Sequence, residues 1–456
     1  MAGIGFELRK LLRKESYTGL LQAYAYAGII SSGPWVLSII GILLIGLMSA
    51  SVIVPEILIG QFQVSVTYLI LASLVLTGFV QLGFTRFIAD LLYQKKDDMV
   101  TPNFNGVMLV VMVVSGVLGI AAVVFMFPHE TDLYRTLMLS GFVIMSCIWV
   151  ATIFLSGMKQ YKDILVLFAL GYTITVASAL ILRPLGMEGL LFGFVIGHFV
   201  LLTGMITLTL RNFPSNRFIA FDFAKKGAMF PTLILTGFLY NLGVWADKLL
   251  FWYNPGTSHA VIGPLRASLI YDVPVFLAYL AIIPGMAVFL VRIETDFVEY
   301  YDKFYDAVRS GGSLDHIERM RDEMVYTIRQ GLFEIIKIQS ITVLVVFVAG
   351  PPLLDSLGIS RLYLPLLYVD VVASGLQVVL LGILNIFFYL DKRGTVTFLT
   401  GLFVVLNVAL TIASLRLGAP FFGYGFACAL LATVLIALQI LERKLAKLEY
   451  EAFMLQ

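Results

Sequence analysis

The sequence predicts an all-α polytopic membrane protein: twelve transmembrane helices in two six-helix lobes around a central cleft, with both termini cytoplasmic. Three observations carry this. Hydrophobic residues make up 60% of the 456 and charged ones 13%, about half the charged share of a water-soluble chain, and mean hydropathy is +0.95. Apolar runs long enough to cross about 30 Å of hydrocarbon recur from end to end. Basic residues gather in alternate loops, as they do on the cytoplasmic side of a membrane.

The tail over residues 1–21 contains Gly3-Ile4-Gly5-Phe6-Glu7-Leu8-Arg9-Lys10-Leu11-Leu12. It mixes apolar and basic positions, as a cytoplasmic helix lying in the membrane interface does. The next run is too long for a signal-peptide core and many similar runs follow it, so it reads as a retained first helix. Lipid offers backbone groups no partners, and each run therefore closes its hydrogen bonds within itself as a helix. The expected spans are 22–50, 63–85, 107–127, 135–157, 164–182, 189–210, 228–252, 266–290, 332–354, 362–390, 396–414 and 422–441. With the amino terminus inside, 24 of the 31 Lys and Arg fall in cytoplasmic segments and 5 outside, while Lys248 and Lys337 lie within spans. One missed helix would destroy that bias.

These spans divide into an amino-terminal lobe (22–210), a cytoplasmic linker (211–227) and a carboxy-terminal lobe (228–456). Two local matches suggest that the lobes are parallel repeats. Arg86 and Asp90 close the second span, and Arg292 and Asp296 close the eighth, 206 residues later. Their spacing of four allows each pair to meet on one helix face at the cytoplasmic interface. Gly33-Pro34-Trp35 likewise resembles Gly243-Val244-Trp245. The only long loop, 291–331, alternates acidic, basic and aromatic residues around Ser310-Gly311-Gly312-Ser313. That pattern predicts two cytoplasmic helices, the second N-capped by Ser313.

No phosphate-binding glycine loop, dinucleotide fingerprint, nucleophile elbow or zinc-protease motif occurs. Cys147 and Cys428 lie inside apolar runs, and the four histidines show no ligand spacing, so no metal site, no cofactor and no nucleic-acid partner is expected. Transport fits this inventory better than enzymatic chemistry. Ionisable groups inside spans are costly and mark transport pathways by default. Asp247, Lys248, Asp272 and Asp370 are therefore candidates for a lumen in the second lobe; interfacial snorkelling is the competing reading. Glu334 and Lys337 read as a surface pair, and His198 as a hydrogen-bonded interhelical histidine. Trp35 and Trp245 are candidates for stacking on sugar rings. Loop 291–331 carries nine acidic residues against six basic ones, and Asp302, Asp306, Glu318 and Asp322 are its candidates for docking a partner.

The opening Met1-Ala2-Gly3-Ile4-Gly5-Phe6-Glu7-Leu8-Arg9-Lys10-Leu11-Leu12, followed by Ser31-Ser32-Gly33-Pro34-Trp35, resembles the PelG family. These are inner-membrane transporters of the Pel exopolysaccharide system, within the multidrug/oligosaccharidyl-lipid/polysaccharide flippase superfamily. The resemblance extends over the whole chain in length, span number and the long loop. It implies export of a galactosamine-type polymer. It also implies a cytoplasmic glycosyltransferase, PelF, and two membrane partners, the cyclic-di-GMP receptor PelD and PelE. It carries over no substrate-binding residue. A cation-coupled exporter of small molecules or lipid-linked oligosaccharides from the same superfamily, a membrane glycosyltransferase and a pore-less assembly scaffold are the alternatives.

Overall fold

The computed structural model describes residues 17–450 except 51, 54, 56, 159, 160 and 449. The opening motif and most of the interfacial helix expected over 1–21 lie outside the described residues. The chain is helical almost throughout: α1 Tyr17–Ser49, α2 Ile57–Tyr93, α3 Val100–Met126, α4 Asp132–Gly157, α5 Tyr161–Leu182, α6 Met187–Asn212 and α7 Pro231–Tyr253. A short antiparallel hairpin follows, β1 His259–Ile262 and β2 Leu265–Ala267. Then come α8 Leu269–Leu280, α9 Ile283–Val291, a π-helical turn Arg292–Phe297, α10 Val298–Arg309, α11 Leu314–Ser356, α12 Leu364–Tyr389, α13 Arg393–Leu417 and α14 Tyr424–Leu445.

Among the described residues, ten helices are long and apolar enough to span a membrane, and the bent pair Gln22–Gly33 and Leu37–Ser49 within α1 brings the number to eleven. α7 is 23 residues long, enough to cross by length. It is not among the ten because Asp247, Lys248, Asn241 and several indole and phenol rings dilute its apolarity.

The chain forms two compact units that are not contiguous in sequence: residues 34–245 with 251–268, and residues 17–33, 246–250 and 269–450. The first unit contains a large apolar core built around Phe62, Phe84, Phe104, Phe154 and Phe194. Its α5–α6 hairpin closes tightly because α6 presents Gly193 and Gly197 to its neighbour. A Cβ would lie 2.3 Å from the Ala179 backbone in one case and 2.6 Å from the Thr175 backbone in the other. In lipid, where apolar surface gains little by being hidden, such close backbone approach is what holds helices together. The hairpin was not expected from the sequence. It turns at Gly263, where φ is +50°, and is bound to α2 by Gln61 Nε2 to the Val261 carbonyl at 3.1 Å and Tyr68 OH to the Arg266 carbonyl at 3.0 Å.

The second unit departs from the expected loop at 291–331. α8 ends before Pro284 and α9 restarts at once. The Ile282 carbonyl at this break accepts from Gln339 Nε2 at 3.3 Å. α9 then runs through the π-helical turn into α10. Ser313 occupies the N-cap position of the following helix, in extended conformation and without a side-chain capping hydrogen bond, but that helix continues unbroken to Ser356, 43 residues in all, or about 64 Å at 1.5 Å per residue. The two expected cytoplasmic helices are thus continuous with the flanking spans, the first through the π-helical turn and the second without a break at the predicted boundary.

Candidate transport site: a buried charge cluster in the second unit

Neighbouring helix positions point about 100° apart and do not normally pair. Asp247 and Lys248 on α7 are an exception. The lysine stem folds back so that Nζ donates to Asp247 Oδ2 at 3.0 Å and Oδ1 at 3.3 Å. Packing imposes the fold-back, because Nζ lies 4.6 Å from the centre of the Phe426 ring and 5.0 Å from that of Tyr279. It also donates to Tyr279 Oη at 3.1 Å. Cation–π contact and a charge-assisted hydrogen bond together replace the hydration shell of the ammonium.

The Asp247 carboxylate is equally well supplied. It accepts from Tyr271 OH at 2.6 Å and from Asn407 Nδ2 at 3.3 Å, and Asn407 in turn accepts from Thr411 Oγ1 at 3.0 Å. Four helices, α7, α8, α13 and α14, thereby meet on one ion pair, and Asp247, Lys248, Tyr271, Tyr279, Asn407, Thr411 and Phe426 are all buried. Two charges sealed from water are tolerable only when every lone pair and proton finds a partner, and this pair meets that condition.

Asp370 on α12 does not. Its side chain is 2% exposed, and neither carboxylate oxygen has a hydrogen-bond partner among the described residues. It faces the entry to α14, where Gly423 adopts φ +83° and a Cβ would stand 3.0 Å from Asp370 Oδ1. An unpaired buried carboxylate beside a saturated Asp–Lys pair is a place where one further cation can be held.

The remaining candidates are dispersed. Asp272 is half-buried on α8, next to Tyr271 but on another face. Trp245 is buried in the first unit, 6.2 Å from Trp252 between ring centres; Trp35 lies in α1 with its side chain outside the described residues. Arg86 and Asp90 pair at 3.2 Å and are half-exposed. Arg292 bridges Asp296 at 2.7 Å and Glu334 at 2.6 Å, so Glu334 is engaged across helices by an arginine that the sequence reading had assigned to Asp296 alone. Asp302 and Asp306 lie on α10, and Glu318 and Asp322 on α11. The last two line an open hollow of about 630 Å³ with Asp315, Arg319, Glu323 and Tyr326.

Sequence reasoning missed several polar groups. Asn407 and Thr411, four apart in an otherwise apolar span, were a readable signal. Glu294, counted with the acidic loop, instead accepts from Asn385 Nδ2 at 2.6 Å and Tyr389 OH at 3.0 Å. In the first unit His198 is buried, with Nδ1 2.8 Å from the Phe194 carbonyl and Nε2 3.3 Å from Tyr172 Oη, the interhelical role expected of it. Gln81 joins a ladder on α2: its Nε2 donates to Thr77 Oγ1 at 2.9 Å and its Oε1 lies 3.4 Å from Asn241 Nδ2. Among the described residues no group of three His, Cys, Asp or Glu could hold a metal ion.

The fold resembles those of several solved transporters. An outward-facing multidrug resistance MATE family transporter of the MOP superfamily is 14% identical and covers 99% of this chain and 99% of its own, with a TM-score of 0.64. A MOP superfamily transporter from Pyrococcus furiosus, described by the reversed polarity of its binding pocket, is 14% identical over 93% of this chain and 96% of its own, at 0.63. An inward-facing MATE family transporter is 12% identical over 93% and 96%, at 0.60. Among proteins of curated function none matches. The family model "PelG: Putative exopolysaccharide Exporter (EPS-E)" matches residues 1–453. The chain therefore belongs to the PelG family of exopolysaccharide exporters and has the fold of MATE-type transporters.

Proposed function

We propose that this chain exports a galactosamine-type Pel polymer across the bacterial inner membrane as a cytoplasmic glycosyltransferase elongates it. The observation that carries the reading is the family match over essentially the whole chain, on a fold shared with transporters. PelF is the proposed synthase, and PelD and PelE the proposed membrane partners. In this reading the chain crosses twelve times in two six-helix lobes, with α7 the twelfth span and both termini cytoplasmic. The acidic surface of α10 and α11 (Asp302, Asp306, Glu318 and Asp322) receives the synthase.

The test is reconstitution. Proteoliposomes holding this chain and its partner membrane proteins are supplied externally with the glycosyltransferase and UDP-sugar. Polymer protected from an added glycosidase is then measured. The expected result is protected polymer only when this chain is present. Equal protection without it would refute export, and nucleotide-sugar turnover by the purified chain alone would favour an enzyme.

One observation favours a second reading, a cation-coupled exporter of small molecules or lipid-linked oligosaccharide. The unpaired carboxylate of Asp370 lies where a coupling cation would be held. Asp370→Asn would then abolish transport while leaving folding intact. In elongation-driven export it leaves protected polymer unchanged.

A further inference from the structure

The segment joining α6 to α7 is a structured strap rather than a free linker. It is pinned to the start of α3 at several points. Asn103 Oδ1 accepts from the Asp222 backbone N–H at 2.8 Å and Asn103 Nδ2 donates to Asp222 Oδ2 at 3.2 Å. The Ala220 N–H donates to the Pro102 carbonyl at 2.9 Å, and Asn105 Nδ2 donates to the Phe218 carbonyl at 2.8 Å. Phe223 anchors the strap inside, edge-on to Phe84 at 5.8 Å.

What the strap holds outward is apolar and basic. Phe218 is 81% exposed, and Ile219 and Phe221 are exposed beside it. Arg211, Arg217 and Lys226 are exposed; Arg211 and Lys226 form no ion pair among the described residues, Arg217 reaches Met99 Sδ at 3.9 Å and lies near enough to the Asp222 carboxylate to act on it, and Lys225 is bonded to Asp222. Phe218, Ile219 and Phe221 exposed together form an apolar patch of the kind that marks a contact surface. Asn105, which fixes Phe218, is followed on the same face of α3 by Leu109, Met112 and Val113, one and two turns on. All three are exposed, and only 28% of the most apolar window of this helix is buried. Phe218 is thus held by its backbone one turn before the exposed apolar stripe of α3.

We propose that this strap is a binding surface for anionic phospholipid. Phe218 enters the interfacial zone, where amphipathic and aromatic side chains are favoured, and Arg211, Arg217 and Lys226 take the headgroup phosphates. A soluble protein partner would not require the apolar tip to be continuous with the lipid face of a spanning helix.

The test uses the full-length protein in nanodiscs. A Phe218→Trp variant is compared with the unaltered chain, so that the added tryptophan emission is obtained by difference. Lipids brominated high on the acyl chain should quench most of that emission, and aqueous iodide little of it. In parallel, an Arg211→Gln/Arg217→Gln/Lys226→Gln variant is purified and its retained lipids are quantified. Its enrichment of phosphatidylglycerol or cardiolipin over phosphatidylcholine should fall by about fivefold per charge removed. Quenching by iodide with none by bromolipid would overturn the proposal and indicate a surface facing water or a soluble partner. Unchanged anionic-lipid enrichment in the triple variant would overturn it too, leaving a merely apolar contact. Circular dichroism of both variants separates these outcomes from misfolding.

Discussion

Replacing Lys248 by Met tests the buried cluster most directly. Among the described residues the ammonium is the only positive charge bonded to Asp247, with two contacts to the carboxylate and one to Tyr279. Met keeps most of the stem volume against Phe426 but leaves Asp247 as a buried, uncompensated charge. Breaking such a pair by removing one partner costs about 3–5 kcal/mol. Asp247→Asn strands the lysine and should cost a similar amount. In the Asp247→Asn/Lys248→Met double variant neither charge remains, and the Tyr271 and Asn407 side chains can still bond the amide. Its cost should fall to about 1–3 kcal/mol, well below the sum of the single changes. The coupling energy is therefore expected at about 3 kcal/mol or more. It is measured by SDS titration of the purified protein in mixed micelles, followed by intrinsic fluorescence, with all four species compared at one lipid ratio. Single-variant effects that simply add, to within about 0.5 kcal/mol, would mean that the two charges do not depend on each other, and the account of the cluster would fail.

Other outcomes follow from the packing. Gly237→Ala places a Cβ 2.3 Å from the Gly78 carbonyl oxygen, so α2 and α7 must part. A loss of about 1–3 kcal/mol is expected, read as a lower thermal midpoint. Gly60→Ala, where no atom lies within 4 Å, should cost nothing of this kind. Gln339→Leu removes the donor to the Ile282 carbonyl at the α8–α9 break and should cost about 1–2 kcal/mol, with faster amide exchange confined to that break. Asp222 lies in the strap outside the spans, and its hydrogen bonds from Lys225 and then Asn103 hold its carboxyl below the ordinary value. A depressed folded value means that the strap is fully stabilised above about pH 4, the ordinary carboxylate range, and loses that stabilisation as pH falls through the lower folded value. Hydrogen-exchange protection across 213–226, taken relative to the intrinsic amide rate at each pH, should therefore fall on acidification, and Asp222→Asn should remove that pH dependence. Reporter fusions at both termini and in the 254–268 hairpin should place the termini on one side of the membrane and the hairpin on the other; all three on the same side would exclude an odd number of crossings on each flank of the hairpin, and with it the twelve-span reading.

The sequence by itself determined that this chain lives in lipid and folds into helices. Hydrocarbon leaves the backbone no other partners, and apolar runs of about 20 residues can be counted without knowing what they touch. It also pointed to Asp247, Lys248 and Asp370, because charge in an apolar run is conspicuous. Only the tertiary structure decided what those charges do. Adjacent residues on a helix diverge, so nothing in the order Asp247-Lys248 indicates a pair; the rings of Tyr279 and Phe426 turn the lysine back. Asn407 completes the carboxylate's shell from 160 residues away, whereas Asp370, in an equally apolar stretch of sequence, receives no hydrogen-bond partner among the described residues. Helix continuity was likewise decided in three dimensions. The boundary drawn at residue 331 followed a change from charged to apolar composition, but composition does not stop a helix whose hydrogen bonds continue, and α11 passes through it without a break.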